Sequence, residues 1–137
     1  MGSAMDDARY ILLEDRGLVA VAGDDRYAFL QGLISNDTRR VDGTRAVYAA
    51  FLTAQGKYLH DFFVVAIPEE GLVLDCEAGR SDDLLRRLRP YRLRAKVTFA
   101  ERTVDWQVAA LIGSDVPKIL GLSAEDHGAA TAFAGGV

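Results

Sequence analysis

Tyr58-Leu59-His60-Asp61-Phe62-Phe63-Val64-Val65-Ala66-Ile67 is the stretch that decides the fold. Aromatic and β-branched side chains crowd it, and these fit a pleated surface. A period of two puts Tyr58, His60, Phe62 and Val64 on one face, and Leu59, Asp61, Phe63 and Val65 on the other. Both faces are largely apolar, so the strand is expected to be covered on both. Upstream, Arg45 to Thr53 reads as a second strand, with Val47, Ala49 and Phe51 opposite Ala46, Tyr48 and Leu52. Ala54-Gln55-Gly56-Lys57 is a turn between the two. Downstream, Pro68-Glu69-Glu70-Gly71 turns the chain into Leu72–Cys76. Connections this short exclude crossovers, so an antiparallel meander is predicted.

Outward from the meander, Leu18 to Ala22 reads as a buried strand closed by Gly23. Asp24 or Asp25 is a candidate cap for a helix carrying Tyr27, Leu30, Leu33 and Ile34, which Asn36-Asp37-Thr38 then breaks. Ser81 and Asp82 are candidate caps for a second helix with Leu84, Leu85 and Leu88, ended near Arg89 by Pro90. Arg92, Arg94 and Lys96 alternate with Leu93, Ala95 and Val97, the pattern of an edge strand with a basic outer face. Val104 to Ile112, with Trp106, reads as a further strand, and Lys118 to Leu122 as a short helix. The order β-α-β-β-β-α-β-β-α implies an α+β fold. Its antiparallel sheet carries helices on one face and has ferredoxin-like, split βαβ character.

The chain has 137 residues, half of them hydrophobic, with six Phe, five Tyr and one Trp, enough to build a core rather than remain disordered. A net charge of −4 argues against a dedicated nucleic-acid binder. No apolar run approaches the ~20 residues that span a bilayer, so no membrane partner is expected. A single cysteine, Cys76, fits a reducing compartment, and the expected location is the cytoplasm. The opening Met1-Gly2-Ser3-Ala4-Met5 reads as a cloning remnant, and residues 1–8 as that remnant or a disordered terminus.

The common catalytic signatures are absent: no P-loop, no G-x-G-x-x-G, no H-E-x-x-H and no G-x-S-x-G. His60, His127 and Cys76 lack metal-ligand spacing, so no metal site is expected. His60 is the candidate catalytic group, because an imidazole titrates near neutral pH. The reading favoured for it is a sheet residue hydrogen-bonded within the fold rather than one lining a ligand pocket. Asp61 points to the opposite face and cannot orient its ring. Between Arg80 and Arg102 seven Arg and one Lys face three acids, a net +5 that fits an anion site or a solvated basic face.

Four segments in order resemble the folate-binding domain of the glycine-cleavage T-protein family. Phe29-Leu30-Gln31-Gly32-Leu33-Ile34-Ser35-Asn36-Asp37 is similar to its "FLQGxxxND" helix and exit. Tyr48-Ala49-Ala50-Phe51-Leu52-Thr53-Ala54-Gln55-Gly56-Lys57 is similar to its "Y..fLt..G" hairpin. Leu72–Cys76 and Leu93–Val97 fall where the family has a "vvN" and an "LR.kV" strand. The branch that looks nearest is the YgfZ type, accessory proteins of iron–sulfur cluster assembly or repair that bind tetrahydrofolate. Where true aminomethyltransferases carry an Asp-Asp pair, this chain reads His60-Asp61, and Asp75 stands in the strand that bears Asn in the T-protein. The branch's "KGCYxGQE" motif is absent and is expected beyond residue 137.

The resemblance therefore implies the N-terminal part of the T-protein folate-binding fold, in a fragment of a longer protein. Residues 9–113 would form the folate-binding-type α+β domain, and 114–137 the start of the next segment. It implies a folate-binding accessory protein for iron–sulfur cluster assembly. Phe51, Tyr58, His60 and Asp75 would be tetrahydrofolate wall candidates, and Asn36 a support at the helix exit. Its partners would be folate and the cluster-assembly proteins or their clients. Oligomers would form through sheet edges left uncovered by truncation. The alternatives are a folate-dependent aminomethyl- or methyltransferase with His60 as general base, and a non-catalytic module docking protein or RNA.

Overall fold

The meander is present in the computed structural model, which describes residues 8–133. Strand β4, Tyr58–Ile67, pairs antiparallel with β3, Val47–Leu52, and with β5, Gly71–Glu77. Two further strands complete the main sheet: β2, Arg16–Ala22, and β6, Thr98–Glu101. Helix α1, Arg26–Gln31, follows β2, and helix α2, Ser81–Leu88, follows β5. Strands β1, Arg9–Leu12, and β7, Ala109–Ile112, pair in a small second sheet, and α3, Val116–Leu120, follows.

The main sheet has the order β3-β4-β5-β2-β6, and every neighbouring pair is antiparallel. Strands β5 and β6 therefore run parallel to each other with β2 between them and α2 in the crossover. That is a split βαβ unit. Strands β2 and β4 stand in the same relation about β5. With β3 set aside as an added edge strand, the order is ferredoxin-like, and the fold is α+β as the sequence implies.

Both helices cover one face. Phe29 and Leu30 of α1 and Leu84, Leu85 and Leu88 of α2 join Val19, Val21, Phe51, Phe62, Val64, Leu72 and Leu74 in one cluster. Each large side chain buried there contributes roughly 1.5–3 kcal/mol. On the opposite face, among the described residues, Leu18, Ala20 and Val73 are buried, with Ile67, Ala100, Trp106 and Val108 packed against them. That cover reaches Ile67 at the end of β4 but stops short of Phe63 and of Tyr48 on β3. Tyr48 and Phe63 are 54% and 47% exposed, so the expectation that β4 is covered on both faces fails at Phe63.

A register shift in the β3–β4 ladder pairs Phe51 with His60 but Leu52 with Tyr58. The extra residue is a β-bulge, which turns a side chain out of the simple alternation. Tyr58 accordingly donates its hydroxyl to Asp61 at 2.9 Å instead of sharing the face of His60.

Residues 92–97 are not a strand. Their backbone groups are used elsewhere: Ala95 N–H donates to the Arg92 carbonyl at 2.7 Å, and Lys96 N–H to Asp25 Oδ2 at 2.7 Å. The Lys96 carbonyl accepts from Asp25 N–H at 3.2 Å. Asp25 thus ties the 89–97 loop to the start of α1, and its carboxylate caps no helical N–H. The Ser81 hydroxyl likewise donates back to the Ala78 carbonyl and does not cap α2. The strand expected from Val104 to Ile112 is confined to β7, because Arg102–Trp106 forms a turn. The outer edge of β3 is covered in part: Ser35 exchanges hydrogen bonds with Ala50, and just before the strand Ala46 N–H donates to the Gly128 carbonyl.

Candidate functional site

The sheet sorts the sequence-derived candidates onto two sides. Phe51 and His60, cross-strand partners, lie on the helix side, each 1% exposed. Tyr91 meets the Phe51 ring edge-on at 6.1 Å. His60 Nε2 lies 2.7 Å from Asp83 Oδ2 on α2, and Asp83 also accepts from Arg87 Nε at 2.8 Å and from Arg86. Hydrogen bonds from Arg87 first, then His60, hold the Asp83 carboxyl well below the ordinary range. His60 is thus enclosed beneath α2, on the face away from Tyr48 and Phe63.

Tyr58 and Asp75 lie on the open side, in company that alternation alone did not single out. Asp61 receives the hydroxyls of both Tyr58 and Tyr48. These two bonds, Tyr48's first, lower the Asp61 pKa and keep it an anion. The Tyr48 and Phe63 rings pack 5.2 Å apart, and Phe63 stands opposite Asp75 in the ladder. Asp75 pairs with Arg16 at 2.8 Å, and a second Arg16 nitrogen donates to the Asp75 carbonyl at 2.9 Å. Arg80 lies over the Tyr58 ring at 5.8 Å and donates to the Leu59 carbonyl. The result is a half-exposed aromatic floor around a fixed carboxylate.

Asn36 supports that floor from behind. Its Nδ2 donates to the Tyr48 carbonyl at 2.9 Å, and its Oδ1 accepts from Asp37 N–H at 2.7 Å. The residues that sequence reasoning missed are Asp61, Phe63, Tyr48 and Arg16. The alternation of β4 already joined Asp61 to Phe63; only the bulge that brings in Tyr58 left no trace in it. Among the described residues, no three His, Cys, Asp or Glu side chains converge as a metal site would require.

The family model for the GCVT N-terminal domain matches residues 13–134, and the chain belongs to that family. Among solved structures, the glycine cleavage system aminomethyltransferase T from Bartonella henselae shares the fold. Its TM-score is 0.69 at 19% identity, over 88% of this chain and 34% of that one.

Similar sequences include two proteins named iron-sulfur cluster assembly factor IBA57 homolog, mitochondrial. The Coccidioides immitis protein is 35% identical over 107 residues, 68% of this chain and 25% of its own length. The Aspergillus oryzae protein is 33% identical over 116 residues, 71% of this chain and 26% of its own length. The chain therefore spans about a quarter of these relatives. They correct one expectation: their names place them in mitochondria, so the cytoplasmic reading is withdrawn. Mitochondrial matrix is also reducing, and one cysteine cannot separate the two compartments.

Proposed function

We propose that this chain supplies one wall of a folate site in an iron–sulfur cluster assembly factor. The observation that carries the reading is Asp61, an anion fixed by two phenols at the centre of an open aromatic face. A pterin ring is flat and edged with N–H donors. Tyr48, Tyr58 and Phe63 offer surfaces for stacking. A carboxylate has about four acceptor positions, so Asp61 keeps room for ring N–H groups after serving two hydroxyls. The residues present thus fit tetrahydrofolate. Asp75, held by Arg16, would border the ring, and Asn36 would act through Tyr48 as a positioning residue. Phe51 and His60 would hold the sheet from its far side. The names of the relatives support the cluster-assembly context.

Asp61 also favours a second reading, folate-dependent group transfer of the T-protein kind, since it retains a carboxylate at the hairpin exit. Ammonia release from an aminomethyl donor, dependent on folate, separates the two readings.

The binding test is amide chemical-shift mapping of the 137-residue chain titrated with 5-formyltetrahydrofolate. Shifts confined to Tyr48, Asp61, Phe63 and Asp75, and lost in Asp61→Asn, are expected. Shifts only on the helix side, or open-face shifts that persist unchanged in Asp61→Asn, would refute the proposal.

A further inference from the structure

The loop between α2 and β6 is basic, exposed and pinned. From 84 to 100 the chain has six basic residues and no acid, so the remainder carries −10 against the whole chain's −4. Asp83 takes up Arg86 and Arg87. Arg89, Arg92, Arg94 and Lys96 form no ion pair with any described residue, whereas Arg16, Arg45 and Arg102 each have a carboxylate partner.

Among these four cations stands Leu93, 87% exposed and at φ +42°. A left-handed leucine costs about 1–2 kcal/mol, and burial in the fold does not offset it. Beside it, Arg89, Pro90, Arg92, Leu93 and Phe99 line a shallow concavity of about 580 Å³. The Asp25–Lys96 bonds and the Arg92–Arg89 turn fix both ends of the loop. A surface held in place before binding loses little entropy when a partner arrives.

We propose that this loop is a docking surface for an acidic protein partner, with Leu93 as its apolar anchor inside a ring of cations. An apolar centre with a charged rim is the anatomy of protein–protein contacts. RNA fits less well. Its phosphates offer nothing to Leu93, Asp83 interrupts a continuous basic track, and the rest of the chain repels a long polyanion. The loop lies on the helix side of the sheet, opposite the aromatic face, and the proposal stands apart from the folate reading.

The test is fluorescence anisotropy of the 137-residue chain with three labelled probes: a short peptide alternating glutamate and leucine, its glutamine counterpart, and single-stranded oligouridine. The acidic peptide is expected to bind, and more weakly as salt rises from about 50 to about 300 mM, because screening shortens the reach of the charges. Reversing two charges, Arg92→Glu with Arg94→Glu, should weaken it about tenfold or more. Leu93→Gly suits the positive φ and keeps the fold, so it should melt no lower than the parent yet bind about threefold or more weakly. Equal binding of the glutamine peptide, indifference to the charge reversal, tighter binding of oligouridine, or no binding of the acidic peptide overturns the proposal.

Discussion

His60 Nε2 lies 2.7 Å from Asp83 Oδ2, joining the start of β4 to the first turn of α2 across the helix-side core. Asp83 is an anion, so it accepts and the imidazole donates. The bond gives a buried ring its partner and fixes the helix above Phe51 and Phe62.

Replacing His60 by Ala leaves a cavity and frees Asp83 from its buried donor. The expected loss is roughly 2–4 kcal/mol, since cavity and unmet-polar costs add. A urea midpoint unchanged from the parent would show that the bond does not hold the helix.

Acid should unfold the protein through the same contact. The carboxyls of Asp83 and Asp61 sit below their ordinary value of 3.8 in the folded state, by hydrogen bonds from Arg87 and His60, and from Tyr48 and Tyr58. A lowered folded-state pKa gives stability that is present above the ordinary value and lost as pH falls through the folded one. Urea midpoints should therefore drop below about pH 4, with a shallower drop in Asp83→Asn.

Gly71 opens β5 at φ +99°, and a Cβ there would lie 2.5 Å from the Val21 carbonyl oxygen. Gly71→Ala must move β2 or β5, at a cost of about 2–4 kcal/mol. Thermal melting reads it directly; an unaltered melting temperature would mean the ladder can shift freely.

Cys76 should resist thiol reagents in the native protein. It is 1% exposed, and burial pushes its pKa up to about 11, so little thiolate forms near neutrality. A chromogenic disulfide should label it quickly in urea and slowly without.

Much of the fold was legible because β4 carries a strong period-two signal between two clear turns. The α+β class and the meander followed from that and from short connections. Residues 92–97 show the limit. Their alternation imitates a strand, but Pro90 bends the chain and Asp25 captures the backbone of Lys96, so β6 begins only at Thr98. Arg9–Leu12 carries no alternation of its own and becomes β1 only by pairing with β7. At the site, period two separated Asp61 from His60 correctly. It placed Tyr58 with the wrong neighbour, because a bulge depends on the partner strand and not on the residues that contain it.

That bulge has an evolutionary corollary. Shortening the Thr53–Tyr58 hairpin by one residue would swing a bulky phenol into the space now filled by core side chains and strip Asp61 of a donor. Loop tips commonly tolerate gaps and insertions; here a changed loop length would alter the pairing of Leu52 with Tyr58 and with it the second donor to Asp61.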